Sequence, residues 1–124
     1  MANLKLSSLN KTWILDLDGT LLVHNGYKEK GDSFLPGALE FLKKIPDTDF
    51  VLILTSRTEE YREATEKFLR KHGVRYNNII FNIPFGERIL INDKKKSGLN
   101  CAYAISLIRD EGLSALRVNI DKTI

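Results

Sequence analysis

Two aspartates one residue apart stand in the run Asp16-Leu17-Asp18-Gly19-Thr20. Carboxylates at i and i+2 of an extended segment project to the same side. They then repel one another unless a cation or a shared proton lies between them. A divalent ion such as Mg²⁺, with one carboxylate free to attack as a nucleophile, meets that need. A solvated acidic turn meets it too, and the pair alone does not choose between them. Two further polar clusters follow apolar runs, Thr55-Ser56-Arg57 and Asn92-Asp93-Lys94.

These groups can meet only if the elements before them end at one edge. Trp13-Ile14-Leu15 reads as a buried strand, and Gly19 and Thr20 turn the chain where α/β sheets place their ligands. Phe50 to Leu54 is a continuous apolar run, expected as a parallel strand covered on both faces. Asn78 to Phe81, Ile89-Leu90-Ile91 and Ala102 to Ile108 read as a third, fourth and fifth strand, with Gly112 breaking the last pattern. Between them, Ala38, Phe41, Leu42 and Ile45 recur at helical spacing and Pro46 ends that helix. Ser56 with Glu59 fits a capping box for a second helix, whose inner stripe is Tyr61, Ala64, Thr65, Phe68 and Leu69 and which Gly73 terminates. The polar stretch from Leu22 to Ser33 reads as an exposed loop.

Strands alternating with helices imply an α/β fold with a mostly parallel five-stranded sheet flanked by helices. Strand carboxyl ends then share one edge, so Asp16, Asp18, Thr55 and Asp93 can converge.

Composition narrows the classes. The chain has 124 residues, a net charge of +3 and 43% hydrophobic residues, which predicts one domain spanning 1–124. The basic excess is small and interspersed with acids, so nucleic acid is not expected as a partner, while a small anionic substrate suits it. Cys101 is the only cysteine, which excludes an internal disulfide; it reads as a small buried hydrophobe rather than a nucleophile. With no signal-like run at the start and no long apolar stretch, a soluble cytoplasmic protein without membrane contact is expected.

Taken together, Trp13-Ile14-Leu15-Asp16-Leu17-Asp18-Gly19-Thr20, Leu52-Ile53-Leu54-Thr55 and Ile89-Leu90-Ile91-Asn92-Asp93 resemble, in order, the first, second and fourth motifs of the haloacid dehalogenase (HAD) superfamily of phosphatases. The resemblance implies a Rossmann-like fold and a Mg²⁺-dependent phosphomonoesterase. Asp16 would form an aspartyl-phosphate, and Asp18 would be the general acid and base. Asp16, Asp18 and Asp93 would hold Mg²⁺, Asp18 through its backbone carbonyl, while the Thr55 hydroxyl and the Ser56 N–H would take the phosphoryl oxygens. Asn92 stands where many relatives carry a second acid.

The third motif of that family is a basic residue, usually lysine, and no lysine lies between Gly73 and Ile89, where Arg75 and Arg88 are the only bases. Arg88 is the leading substitute, since guanidinium binds phosphate bidentately, and Lys94 is the second candidate. No gap is long enough for the cap domain many relatives carry. Substrate selection then falls to loops or to a partner, and His24, Asn25, Tyr27 and Lys28 are candidate contacts, with solvated side chains as the alternative. Arg57 would face the same pocket or pair with Glu60; Lys94-Lys95-Lys96 reads as a solvated run. Short capless members of this kind resemble those of capsular or surface polysaccharide synthesis, which points to a sugar phosphate. Two alternatives stay open: a phosphatase acting on a macromolecular end such as a 3′-phosphorylated nucleic acid, and a non-catalytic HAD-scaffold module. Oligomeric state is left undetermined.

Overall fold

The computed structural model describes residues 2–124. It is an α/β arrangement of five strands and two α-helices: β1 (Ala2–Leu6), β2 (Thr12–Asp16), α1 (Ala38–Lys44), β3 (Phe50–Leu54), α2 (Arg62–Lys71), β4 (Asn78–Ile80) and β5 (Leu116–Ile120). All pairing between strands is parallel, but the five do not form one sheet. β2, β3 and β4 make a three-stranded sheet in that order, and β1 pairs with β5 separately.

Register explains which side chains are buried. Trp13, Leu15, Val51, Ile53 and Ile79 share one face of the central sheet and pack under Leu42 of α1 and Leu69 of α2. The opposite face carries Ile14, Phe50 and Ile80, which are 47, 46 and 40% exposed. The expectation that β3 is covered on both faces is therefore corrected, because both helices lie on one side. Trp13 is tied down at its rim: its indole N–H donates to Asp49 Oδ2 at 2.9 Å, and its ring meets Phe41 edge-on.

Two expected strands are absent. Ile89-Leu90-Ile91 joins no ladder and all three side chains are exposed. The cause lies just after β4. The Asn82 N–H donates to the Arg57 carbonyl at 2.8 Å and the Ile83 N–H to the Thr55 carbonyl at 3.1 Å, holding the chain at the carboxyl end of β3. A further parallel strand would have to return to the opposite edge, which takes a crossover of about a dozen residues or more, and Asn82 to Arg88 is shorter than that. Ala102 to Ile108 also lacks strand structure; of its large apolar side chains only Leu107 packs on the core, and Cys101 beside it is exposed rather than buried.

The helix expected from Ser56 begins later. A 3₁₀ turn at Glu59–Tyr61 precedes α2, no side chain caps either, and Glu59 pairs with Arg62 instead of closing a capping box. Among the described residues no helix is long and apolar enough to cross a membrane.

Candidate functional site

Asp16 is the last residue of β2, and the chain then winds tightly: the Leu17 carbonyl accepts from the Leu21 and Leu22 amides at 2.9 and 3.0 Å. Leu17 itself is fully buried, which leaves its neighbours Asp16 and Asp18 turned toward the surface. Gly19 takes φ +84°, a left-handed conformation that a side chain at that position would strain. The two carboxylates thus sit at the carboxyl end of the sheet, beside the ends of β3 and its following loop.

Each carboxylate is held by its own arginine. Arg88 Nη1 donates to Asp16 Oδ1 at 2.8 Å, and the Thr20 hydroxyl donates to Asp16 Oδ2 at 2.9 Å. Arg88 therefore stands on the expected nucleophile, whereas Lys94 does not line the cleft. Asp18 is gripped from below by Arg57, through Nη2 at 2.8 Å and Nε at 3.2 Å, and by the Thr55 hydroxyl at 3.2 Å.

Arg57 is the largest fully enclosed side chain, 2% exposed. It also binds Asp32 through two nitrogens at 2.7 and 3.0 Å and the Thr65 hydroxyl at 2.7 Å, and stacks 4.0 Å from the Tyr27 ring centre. All of its N–H groups thereby find partners. Burial by itself would lower the guanidinium pKa; the hydrogen bonds and charges of Asp32 and Asp18 more than offset this and raise it. The sequence left Arg57 between a pocket role and a pair with Glu60. It lines the cleft, but its partners are Asp18 and Asp32, and Glu60 instead accepts from the Thr58 hydroxyl.

A cleft of about 470 Å³ opens over this pair, lined by Asp16, Asp18, Ser56, Arg57 and Arg88 together with His24, Asn25, Tyr27 and Lys28 from the first loop. Ser56 also lines it, and its backbone N–H has no acceptor among the described residues. Thr55 is placed differently from expectation. Its side chain is wholly buried; the hydroxyl donates to Asp18 and accepts from the Arg57 amide, so it positions Asp18 rather than facing the cleft.

Of the three expected metal ligands, Asp16 and Asp18 share the cleft and Asp93 does not join them. Asp93 is exposed in the loop after Arg88, hydrogen-bonded only by neighbouring Asn92, and does not line the cleft. Among the described residues no three His, Cys, Asp or Glu side chains group to hold an ion. With Arg88 and Arg57 occupying the carboxylates, the side chains as they stand do not make a Mg²⁺ site. The physical reason is the missing fourth strand, which would have carried Asp93 to the same edge.

Several residues of the site escaped the sequence reading. Asp32 completes the Arg57 network, and Thr58, Tyr61, Phe85, Gly86 and Arg109 line the cleft. Asp32 and Arg109 carried no motif, while Phe85-Gly86 lies in a turn-like stretch whose apolar residue had no strand to belong to.

No protein-family model and no curated protein matches the chain. Among solved structures it is similar to a chain of one described as "Structure of Pnkp1/Rnl/Hen1 complex", with 30% identity and a TM-score of 0.51. That match takes in 66% of this chain and 31% of the other, so this chain spans about a third of that one's length. The likeness supports the α/β arrangement and leaves the activity open.

Proposed function

We propose that this protein is a HAD-type phosphomonoesterase working through Asp16. The observation that carries the reading is the pairing of Arg88 with Asp16 in a cleft that also holds Asp18 and the free Ser56 N–H. In this reading one Asp16 oxygen bonds to phosphorus as the ester oxygen departs, and Asp18 gives that oxygen its proton. Water then attacks the aspartyl-phosphate, Asp18 takes the water's proton, and inorganic phosphate leaves. Arg88 and the Ser56 N–H would neutralise charge on the phosphoryl oxygens. A small phosphorylated compound, such as a sugar phosphate, fits the size of the cleft. The Mg²⁺ requirement rests on the motif resemblance alone. A Rossmann-like topology likewise rests on the resemblance.

Phosphate release from p-nitrophenyl phosphate, sugar phosphates, nucleotides and 3′-phosphorylated oligonucleotides, each with Mg²⁺ and with EDTA, tests the reading. Turnover that vanishes in Asp16→Asn supports it, and turnover unchanged in that variant overturns it. One observation favours a second reading. Both carboxylates are already ion-paired, Asp18 with a buried arginine, which suits a non-catalytic module that uses the cleft for binding. Binding of phosphate esters with no turnover across the panel would select that module.

A further inference from the structure

Arg109 lies far from every motif, yet it is built into the cleft. Its loop is fastened to the catalytic turn at several points. The Asp110 N–H donates to the Gly19 carbonyl at 2.9 Å, and the Asp110 carboxylate accepts from the His24 N–H at 2.8 Å. Two residues on, Gly112 (φ +82°) lies so close to Pro36 that a Cβ there would sit 2.2 Å from its carbonyl oxygen. Leu113 follows, buried, with its N–H donating to that same oxygen at 2.9 Å. Asp110 itself adopts a left-handed φ of +64°.

The result is that the stem of Arg109 lies directly over Gly19: a Cβ built on that glycine would be 3.0 Å from Arg109 Cγ. Arg109 also lines the cleft that holds Asp16, Asp18 and Arg88. Arg88 and Arg57 are engaged by carboxylates, whereas Arg109 has no hydrogen-bond or ion-pair partner among the described residues. Lys28, also on the cleft wall, is similarly without a carboxylate and rests near the Tyr27 ring. Four cations therefore line the cleft against the three carboxylates Asp16, Asp18 and Glu60, and two of them, Lys28 and Arg109, carry no carboxylate partner among the described residues.

We infer that Arg109 is a specificity residue that binds a second anionic group on the substrate, so that the cleft takes small phosphate esters bearing another phosphate or a carboxylate. The inference rests on the phosphatase reading only for which end of the ligand lies at Asp16. An arginine fixed by its stem and free at its head loses little freedom on binding, and hydrogen bonds to a charged group are the stronger kind. Lys28 is the other uncommitted cation on the cleft wall, and its flexible stem has more freedom to lose on binding.

Binding can be read apart from turnover in Asp16→Asn, titrated calorimetrically with glucose 6-phosphate, glucose 1,6-bisphosphate and 6-phosphogluconate, with and without Arg109→Ala. With Arg109 present, a doubly anionic ligand should bind about tenfold or more tighter than glucose 6-phosphate, as one charge-assisted hydrogen bond predicts. Arg109→Ala should abolish that preference, and Arg109→Lys should restore part of it. Tight binding of the bisphosphate alone identifies the second group as phosphate; tight binding of both identifies any anion. Equal affinity for all three ligands, no binding at all, or an equal loss for all three in Arg109→Ala overturns the inference. Arg109→Gln, which keeps most of the stem over Gly19, serves where the alanine variant does not fold. Hydrolysis by the native chain without this preference sinks the inference alone, and the preference without hydrolysis sinks the phosphatase reading alone.

Discussion

Arg88 Nη1 lies 2.8 Å from Asp16 Oδ1, joining residues 72 positions apart. The contact fixes the carboxylate's rotation and sets a positive charge beside it. Both side chains are more than a third exposed, so the pair adds only about 0–1 kcal/mol to stability. Arg88→Ala should therefore leave the denaturant midpoint nearly unchanged while lowering kcat by about 10²-fold or more. Phosphate-release kinetics and urea unfolding on the same preparation check this, and native-like turnover in the variant would remove Arg88 from the mechanism.

Arg57 should behave in the opposite way. Its loss leaves Asp18 and Asp32 facing one another in a poorly hydrated place, with the Thr65 hydroxyl unsatisfied. Arg57→Ala should cost about 3–5 kcal/mol, the usual consequence of breaking a buried pair from one side. Asp32→Asn should cost less, because Asp18 still neutralises the guanidinium. Urea denaturation measures both.

Gly19 combines two demands, a left-handed φ and the stem of Arg109 overhead. Gly19→Ala should destabilise by about 1–2 kcal/mol from the backbone conformation alone. The crowding adds to that, so Arg109→Ala in the same chain should recover part of the loss but never all of it. A double-mutant cycle by thermal unfolding reads the difference.

Tyr76 supplies a pH signature. Burial, then its 2.6 Å hydrogen bond to Glu66 Oε1, pushes its pKa up to about 12. An unfolded tyrosine titrates near ~10. The folded state therefore holds the proton more tightly, and this contribution is whole below about pH 10 and lost as pH rises toward 12. Tyr76→Phe should flatten that part of the stability profile. A native and variant profile of identical slope above pH 10 would show that the hydroxyl does not contribute.

The middle of the chain was readable because its signals are local. The apolar run at Phe50–Leu54, the stripe in α1 and the turn after Asp16 each specify their element through neighbours in sequence. Leu116-Arg117-Val118-Asn119-Ile120 alternates cleanly and becomes β5, a signal that was there to find. Its partner β1 is less marked. Ile89-Leu90-Ile91 and Ala102 to Ile108 look like strands by composition, and what decides against the first is the tether of Asn82 and Ile83 to the end of β3, which composition does not record. Within the site, Asp16, Asp18, Ser56 and Arg88 were named from motifs and are found on one cleft, while Thr55 faces inward and Asp93 lies elsewhere. Asp32 and Arg109 were invisible because each acts through a contact made only when distant loops close.

The stretch from Pro84 to Ile108 makes almost no backbone hydrogen bonds of its own, a turn at Lys95–Leu99 being the exception among the described residues. Amide protons there should exchange with deuterium far sooner than those of β3, and a protease should nick the chain in this stretch first. Such a cut, made before residue 88, would part Arg88 and Arg109 from the fragment bearing Asp16, Asp18 and Ser56. The cleft would then lose the covalent link between its carboxylates and two of its four cations while β2, β3 and both helices stay on one piece.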